Sequence, residues 1–582
     1  MDYCRKFLFL ITNTEKKQFM FLTILMLIAS ILEVLSISLI IPAVSILLDD
    51  SSIEQMKIYI SPFLSENINN YVEANFLKIF IIFSLSIFLF KFIYMNLLIH
   101  KKMTYVSAVS TRISNRLFEN YLARPYKFHL ENSSSNLITN INGEVQTFSA
   151  NALSAILEIL IELIIIIGFL ILIFLIEPIG SLLTIFVCGV AGFLFHSYTH
   201  KKTLERGGKR RKNQILALKI VQEGLGGIKE LIVFSKKNLF LKKYFEFNSK
   251  LYSAISKQQT LVDTSKYFIE LIAIISAVIL IFILTNSNET NQTIAKLSLF
   301  ASIFFKVLPS LNRVVSAKQR VVFSVASVDV IYKEFKSFKI SEIYQKKSNK
   351  KNNNIYFTKT LELKNISYSY SGNKKILKNI NLTLKKGEVM GLVGPSGSGK
   401  STLINILAGL LHPSSGNILV DGIPLNTSKK IEEWQKNIGY IPQNFFMLED
   451  TIRSNIVFEP NYRTKNYDSI INKCLKNAQI FNFVKSLPKQ LNTFIGERGS
   501  KISVGQAQRF SIARALYKNP NILILDEATS ALDIDNEDKF LDLIYNLQKD
   551  ITIIIISHKL RTLKFCDNIY KLEKLCLKKI KI

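Results

Sequence analysis

Six long apolar stretches in the first 311 residues constrain this chain more than any other feature. They lie near Phe19–Leu48, Phe76–Ile99, Leu153–Ile176, Ile179–Phe195, Tyr267–Leu284 and Ile294–Leu311. Each is long enough, or nearly so, to cross a hydrocarbon core roughly 30 Å thick. One such stretch would also suit a helix buried in a soluble core, but six in succession argue for a membrane-spanning bundle. The third and fourth are separated only by Glu177-Pro178, a tight extracytoplasmic turn. Lys and Arg crowd the N-terminus (Arg5, Lys6, Lys16, Lys17) and segments 101–127 and 201–257, whereas the alternate loops carry Asp49, Asp50, Glu54, Glu66, Glu73, Glu177 and Glu289. By the positive-inside rule both termini are cytoplasmic, as six crossings require. The first stretch is too long for a removable signal and lacks a cleavage site, so it reads as an anchor.

The net charge of +30 is spread over juxtamembrane loops and a linker. That distribution suits anionic lipid headgroups, and no nucleic-acid motif stands beside it. Membrane lipids are therefore expected partners and nucleic acid is not. Cys4, Cys188, Cys474, Cys566 and Cys576 show no paired spacing for metal or redox chemistry and read as reduced thiols.

The second half carries different signals. Val389-Met390-Gly391-Leu392-Val393 reads as a strand, Leu403 to Ala408 as a helix, and Gly394-Pro395-Ser396-Gly397-Ser398-Gly399-Lys400-Ser401-Thr402 lies between. Strand, glycine-rich loop and helix form the context of a phosphate-binding P-loop. Backbone N–H groups turn inward on the phosphates, and the helix N-terminus adds positive potential. Lys400 is expected to reach the β- and γ-phosphates of ATP, with the Ser401 hydroxyl on Mg²⁺. Downstream, Asn521 to Asp526 reads as a buried strand ending in Asp526-Glu527. Asp526 suits a water-mediated Mg²⁺ contact, and Glu527 is placed to polarise the attacking water. Ser503, followed by Val504-Gly505-Gln506, opens a helix through Leu516 and makes a second anion-binding end. Ser530-Ala531-Leu532-Asp533 forms a loop, and the run Ile551–Ile556 ends in Ser557-His558.

In this order the motifs resemble the nucleotide-binding domain of ABC transporters, over roughly Ile355 to Leu577. The resemblance implies that Tyr370 stacks on adenine and that Gln443 senses Mg²⁺ and water while reporting to the membrane domain. It also implies that Asp533 belongs to the nucleotide site and that His558 contacts the γ-phosphate. Thr493–Gly499 resembles the exporter-specific loop. One departure is Val504, where the family usually has glycine; a β-branched residue there stiffens the helix start, and slower closure is expected. The domains are then residues 1–333 with six membrane helices, a linker at 334–354 and an α/β ATPase at 355–582. The family's coupling helices are expected near Asn142–Phe148 and within Asn238–Lys250. A single ATPase copy implies a homodimer, in which the P-loop of one subunit and Ser503 of the other hold one nucleotide.

For cargo, Lys91, Lys266, Lys306 and Arg313 lie within or beside membrane helices and suit a cavity for a phosphate or diphosphate headgroup, interfacial snorkelling being the alternative. Pro309 is a possible kink in the sixth helix. The membrane half resembles the bacterial lipid-linked oligosaccharide flippases of protein N-glycosylation, through Ser36–Pro42, Ile141–Val145 and Leu308–Arg313. That implies a polyprenyl-diphosphate-linked glycan and a bacterial inner membrane; other lipids, hydrophobic drugs and peptides are the alternatives. A soluble chromosome- or repair-type ATPase shares the nucleotide motifs but not six apolar stretches. An ATP-gated channel would carry the same parts.

Overall fold

The structure is a computed structural model that describes residues 2–39, 66–176, 178–284, 290–347, 355–370, 375–464, 467–527, 551–557 and 559–580. Within these, several membrane-segment side chains, among them 175–188 and 279–306, lie outside the description. The chain divides into two compact units, one of Met1–Arg124 with Glu131–Ser341 and one of Pro125–Leu130 with Glu342–Ile582.

The first unit is helical. Six long helices, Asn13–Ser38, Glu66–Leu122, Ser154–Ile176, Pro178–Gly226, Lys237–Leu284 and Thr290–Phe323, each contain or overlap one of the six apolar stretches. The last runs unbroken through Pro309. Among the described residues, spans at Asn13–Ser36, Lys78–Leu122 and Ser134–Ile171 are long and apolar enough to cross a membrane. The apolar window of Lys78–Leu122 is only 6% buried within the protein. A helix with Ile81, Ile82, Phe83 and Phe92 all exposed finds its solvent in lipid tails.

Close helix approaches and ion pairs lace this unit together. Gly207 sits so near the backbone of Phe323 that a Cβ would come within 2.3 Å of its carbonyl oxygen. Arg112 grips Glu15 through Nε and Nη2 at 2.6 and 2.9 Å, and Arg320 pairs with Glu158 at 2.5 Å. At the centre of a second cluster lies Glu144, fully buried. Its carboxylate accepts from Arg210 Nη2 at 2.7 Å and from Ser327 Oγ at 2.5 Å.

Both expected coupling positions shift. Asn142–Phe148 lies in the first unit, with Val145 and Phe148 buried in it, while Pro125–Leu130 groups with the second. The reason is local: Pro125 follows the helix ending at Leu122 and precedes a short one, Tyr126–Glu131, because proline is favoured at a helix start, where the N–H it lacks would have no partner. Likewise Asn238–Lys250 is the interior of Lys237–Leu284, and the separate short helix is Ile228–Val233. The preceding helix ends at Gly226, and Gly227, with non-helical φ −111° and ψ 32°, separates the two.

The second unit holds two sheets. A four-stranded antiparallel sheet runs in the order β2 (Lys375–Lys385), β1 (Thr360–Ser369), β4 (Ser415–Val420), β5 (Ile423–Pro424). A six-stranded sheet is ordered β10 (Cys576–Ile580), β9 (Asn568–Glu573), β3 (Val389–Val393), β8 (Thr552–Ile556), β7 (Ile522–Asp526), β6 (Ile438–Ile441). From β9 to β6 every pairing is parallel. Strands β7 and β8 are buried at every position, as expected of parallel strands covered on both faces. Alternate residues serve two cores. Met390, Leu392, Ile522, Ile524, Ile554 and Ile556 face one with Trp434 and Leu403, whereas Val389, Leu523, Leu525, Ile553 and Ile555 face the other with Phe510 and Ile452.

Candidate active site

Parallel pairing puts the C-terminal ends of β3, β8, β7 and β6 on one rim, where ligands of open α/β sheets bind. The P-loop follows β3, Ser557 follows β8, Asp526 and Glu527 end β7, and Gln443 follows β6. His558 and Asp533 lie outside the described residues.

Glycine is needed at two P-loop positions for separate reasons. Gly394 has φ +155° and a Cβ there would meet the Leu572 carbonyl oxygen at 2.5 Å. Gly399, at φ +104°, sits at the start of helix Lys400–Leu407, which no side chain caps. The first N–H groups of that helix have no acceptor within it, so the end is open to an anion. Ser398 Oγ is buried without a hydrogen-bond partner. Pro395, Ser396, Gly397 and Ser401 are exposed or partly so, while Thr402 is buried. Thr402 Oγ1 lies 3.3 Å from the Tyr370 hydroxyl, and the Tyr370 ring stands edge-on to Tyr368 at 5.0 Å.

Lys400 is 8% exposed and its ammonium donates to the carbonyls of Gly394 and Pro395 at 2.7 and 3.1 Å. Burial pulls its pKa below the ordinary lysine value, while the carboxylates of Glu527 and Asp526 oppose the shift. Asp526, 9% exposed, is displaced the other way. Burial raises its pKa and the Glu527 charge adds to that, against the Tyr440 hydroxyl and Lys400. Tyr440 donates to Asp526 Oδ2 at 3.3 Å. Both shifts describe charges with too little compensation. A polyphosphate opposite Lys400 and a divalent cation opposite Asp526 would supply it, so ATP and Mg²⁺ fit the residues present.

Glu527 is held in the left-handed region at φ +52°, and Gln443 Nε2 donates to its Oε2 at 2.7 Å. The two expected catalytic groups thus touch. Ser503 caps helix Val504–Tyr517 in a full capping box with Gln506: Gln506 N donates to Ser503 Oγ at 3.2 Å and Ser503 N to Gln506 Oε1 at 2.9 Å. Val504 is 63% exposed and leaves this cap intact. Among the described residues, nothing beyond its own helix backbone and chain neighbours lies within 4 Å of a Cβ built on Gly505.

Two contributors escaped the sequence reading. Tyr440 stands three residues before Gln443, and only the adjacency of β6 and β7 brings it to Asp526. Arg514, on the Ser503-capped helix, donates to the carbonyls of Phe446 and Asn455, both at 2.8 Å, and burial pulls its pKa down to about 10. It fastens the segment after Gln443 to that helix.

Three of the four cations expected to line a substrate cavity carry ion pairs within the chain. Lys91 pairs with Glu33 at 2.6 Å and donates to Ser36 Oγ at 2.9 Å. Arg313 holds both oxygens of Glu162, at 2.5 and 3.0 Å, and Lys266 faces Glu270 one turn on at 3.7 Å. The Lys306 side chain lies outside the description. Glutamates on neighbouring helices neutralise Lys91 and Arg313, a pairing that apolar-stretch reading passes over. The four described cysteines, Cys4, Cys474, Cys566 and Cys576, are free thiols; the Cys188 side chain lies outside the description.

Comparison with known proteins agrees with this geometry. A family model described as ABC transporter matches residues 377–530, and one described as ABC transporter transmembrane region matches residues 19–308. A multidrug resistance ABC transporter ATP-binding and permease protein of Lactococcus lactis is 36% identical over 218 residues, 37% of this chain and 36% of that protein. An ATP-dependent lipid A-core flippase of Photorhabdus laumondii is 26% identical over 468 residues, 80% of this chain and 79% of its own length. The fold matches that of a bacterial Atm1-family ABC exporter with ATP bound, with TM-score 0.78 and 18% identity over 97% of this chain and 95% of that one.

Proposed function

The chain is an ABC transporter with an exporter-type transmembrane region and an ATP-hydrolysing domain, and from that premise we propose that it works as a homodimer flipping an anionic glycolipid, specifically a diphosphate-linked oligosaccharide lipid. The observation that carries ATP-driven transport is the single sheet rim bearing the P-loop, Gln443 and the Asp526-Glu527 pair, in a chain that also carries an exporter-type membrane region.

Each residue has a role in this reading. Tyr370 supports the adenine ring. Backbone N–H groups from Gly397 to Thr402 cradle the phosphates, and Lys400 exchanges its two carbonyl contacts for phosphate oxygens. Ser401 and Asp526, with Gln443 near, would hold a Mg²⁺ ion, which would supply neutralisation of phosphate charge. Glu527 orients water for attack on the γ-phosphoryl group; the P–O bond to the β-phosphate breaks and ADP leaves. Gln443 positions Glu527 through their hydrogen bond, and His558 and Asp533 complete the site. The open face around Ser503 and Gly505 suits nucleotide held by a second copy, since no packing inside the chain explains the glycine.

The cargo reading rests on relatives more than on cations. A 468-residue alignment is longer than the ATPase domain, so flippase likeness extends into the membrane half. The multidrug likeness spans 218 residues and need not. The test is purified protein in liposomes with labelled polyprenyl-diphosphate sugar. ATP-dependent movement of the glycolipid is expected; ATP-dependent movement of a neutral hydrophobic dye with none of the glycolipid would favour a drug exporter. The expected location is a bacterial cytoplasmic membrane with ATPase and termini facing the cytosol.

A further inference from the structure

Helices Pro178–Gly226 and Thr290–Phe323 meet tightly at Gly207 and Phe323 and part before that seam around a cavity of about 200 Å³. The lining comes from residues 189–203 of one helix and 311–322 of the other, so the helices run in the same direction. On the first helix, apolar lining residues precede polar ones. Gly189, Gly192 and Phe195 form the apolar part; Thr203, Lys318 and Gln319 lie toward the seam.

Among the described residues no contact accounts for Gly189 and Gly192. Gly207 on the same helix permits backbone contact, but a Cβ at Gly189 or Gly192 meets nothing within 4 Å, and neither has a positive φ. Glycine inside a helix costs about 1 kcal/mol relative to alanine. Here it keeps space empty.

The polar part is built from unused groups. Thr199 satisfies its hydroxyl on the Phe195 carbonyl at 2.8 Å, yet one turn on Thr203 is 1% exposed with Oγ unpartnered. Gln319 is 5% exposed and its Nε2 is also unpartnered. Among the described residues Lys318 meets no carboxylate, and none lines the cavity. The Lys318 ammonium, with the buried and unpartnered Thr203 hydroxyl and Gln319 amide beside it in the lining, asks for an acceptor, most of all an anionic one. The volume is below the roughly 300–1,000 Å³ of pockets that enclose drug-sized ligands, which suits one alkyl chain with its headgroup at the mouth.

We propose that this cavity binds one phosphate-bearing lipid of the cytoplasmic leaflet, its chain against Gly189, Gly192 and Phe195 and its phosphate on Lys318 and Thr203. The site lies within one copy of the chain and stands apart from the identity of the cargo.

The full-length protein in detergent, titrated separately with phosphatidylglycerol, phosphatidylcholine and inorganic phosphate, is read by native mass spectrometry. Saturable retention of one phosphatidylglycerol per chain is expected, with phosphatidylcholine about tenfold weaker and inorganic phosphate neither bound nor competing. Lys318→Gln should weaken retention about tenfold, the size of one charge-assisted hydrogen bond. Gly192→Leu should abolish it by filling the space, and leucine's better helix propensity protects the fold. Equal retention of both lipids, competition by inorganic phosphate, or unchanged retention in both variants would overturn the site.

Discussion

Glu527 combines a left-handed backbone, which few side chains adopt without cost, with a hydrogen bond from Gln443. Removing its charge while keeping its shape separates binding from turnover. Glu527→Gln should retain ATP and lower steady-state hydrolysis at least about 100-fold, the lower range for a lost general base; rapid phosphate release in that variant would remove the assignment. Lys400→Ala should abolish the rise in melting temperature that ATP confers on the wild type, a linkage effect that grows with ligand occupancy. Val504 is the residue-scale puzzle. Its side chain points outward and its helix is capped normally, so any hindrance is to an approaching partner. Val504→Gly should therefore raise the ATPase rate without changing thermal stability, and equal rates would retire the idea.

At the scale of elements, two polar clusters do much of the joining. The Glu144 carboxylate brings together its own π-helical segment Thr139–Glu144, the helix bearing Arg210 and the helix Val325–Lys347 bearing Ser327. Leaving a buried charge unpaired costs about 3–5 kcal/mol. Arg210→Leu should thus lower the melting temperature sharply, and adding Glu144→Leu should recover a good part of the loss. In the ATPase unit, Asp421 accepts from the backbone N–H groups of Thr358, Lys359 and Thr360 at 2.7–2.8 Å and from the Thr358 hydroxyl. Burial pushes the Asp421 pKa up, but these hydrogen bonds outweigh it and the net shift is downward. A carboxyl with a folded pKa below its unfolded one stabilises at pH above the unfolded value, and that stability is lost as pH falls through the folded value. Asp421→Asn should cost stability at pH 7 and flatten the acid limb below about pH 4; parallel curves for the two proteins would contradict this.

For the molecule as a whole, two inactive variants make a sharper test than either alone. If one nucleotide lies between the P-loop of one copy and Ser503 of another, Lys400→Ala and Ser503→Arg reside on opposite sides of each site. Co-expressed, they should regain ATPase activity that neither shows separately, because one site of each mixed pair is then unmutated. No recovery would mean that each chain acts alone. The same scale shows what was readable without coordinates. Strand, loop and helix boundaries around Val389–Leu407 and Ser503–Tyr517 followed from buried runs and capping residues, and the six helices from hydropathy. The Gln443–Glu527 contact, Tyr440 on Asp526 and the pairing of Lys91 and Arg313 with glutamates depend on which strands and helices lie side by side. No local pattern encodes that. The short helices Tyr126–Glu131 and Ile228–Val233 have legible local signals in Pro125 and Gly227.

The second membrane helix, Glu66–Leu122, runs 57 residues without a break. At 1.5 Å per residue it is a rod about 85 Å long, nearly three times the thickness of the hydrocarbon it crosses. A rigid rod pivoting near one end by about 5° sweeps the other through roughly 7 Å, from that length alone. Such a part works as a lever arm, trading a small angle for a large stroke.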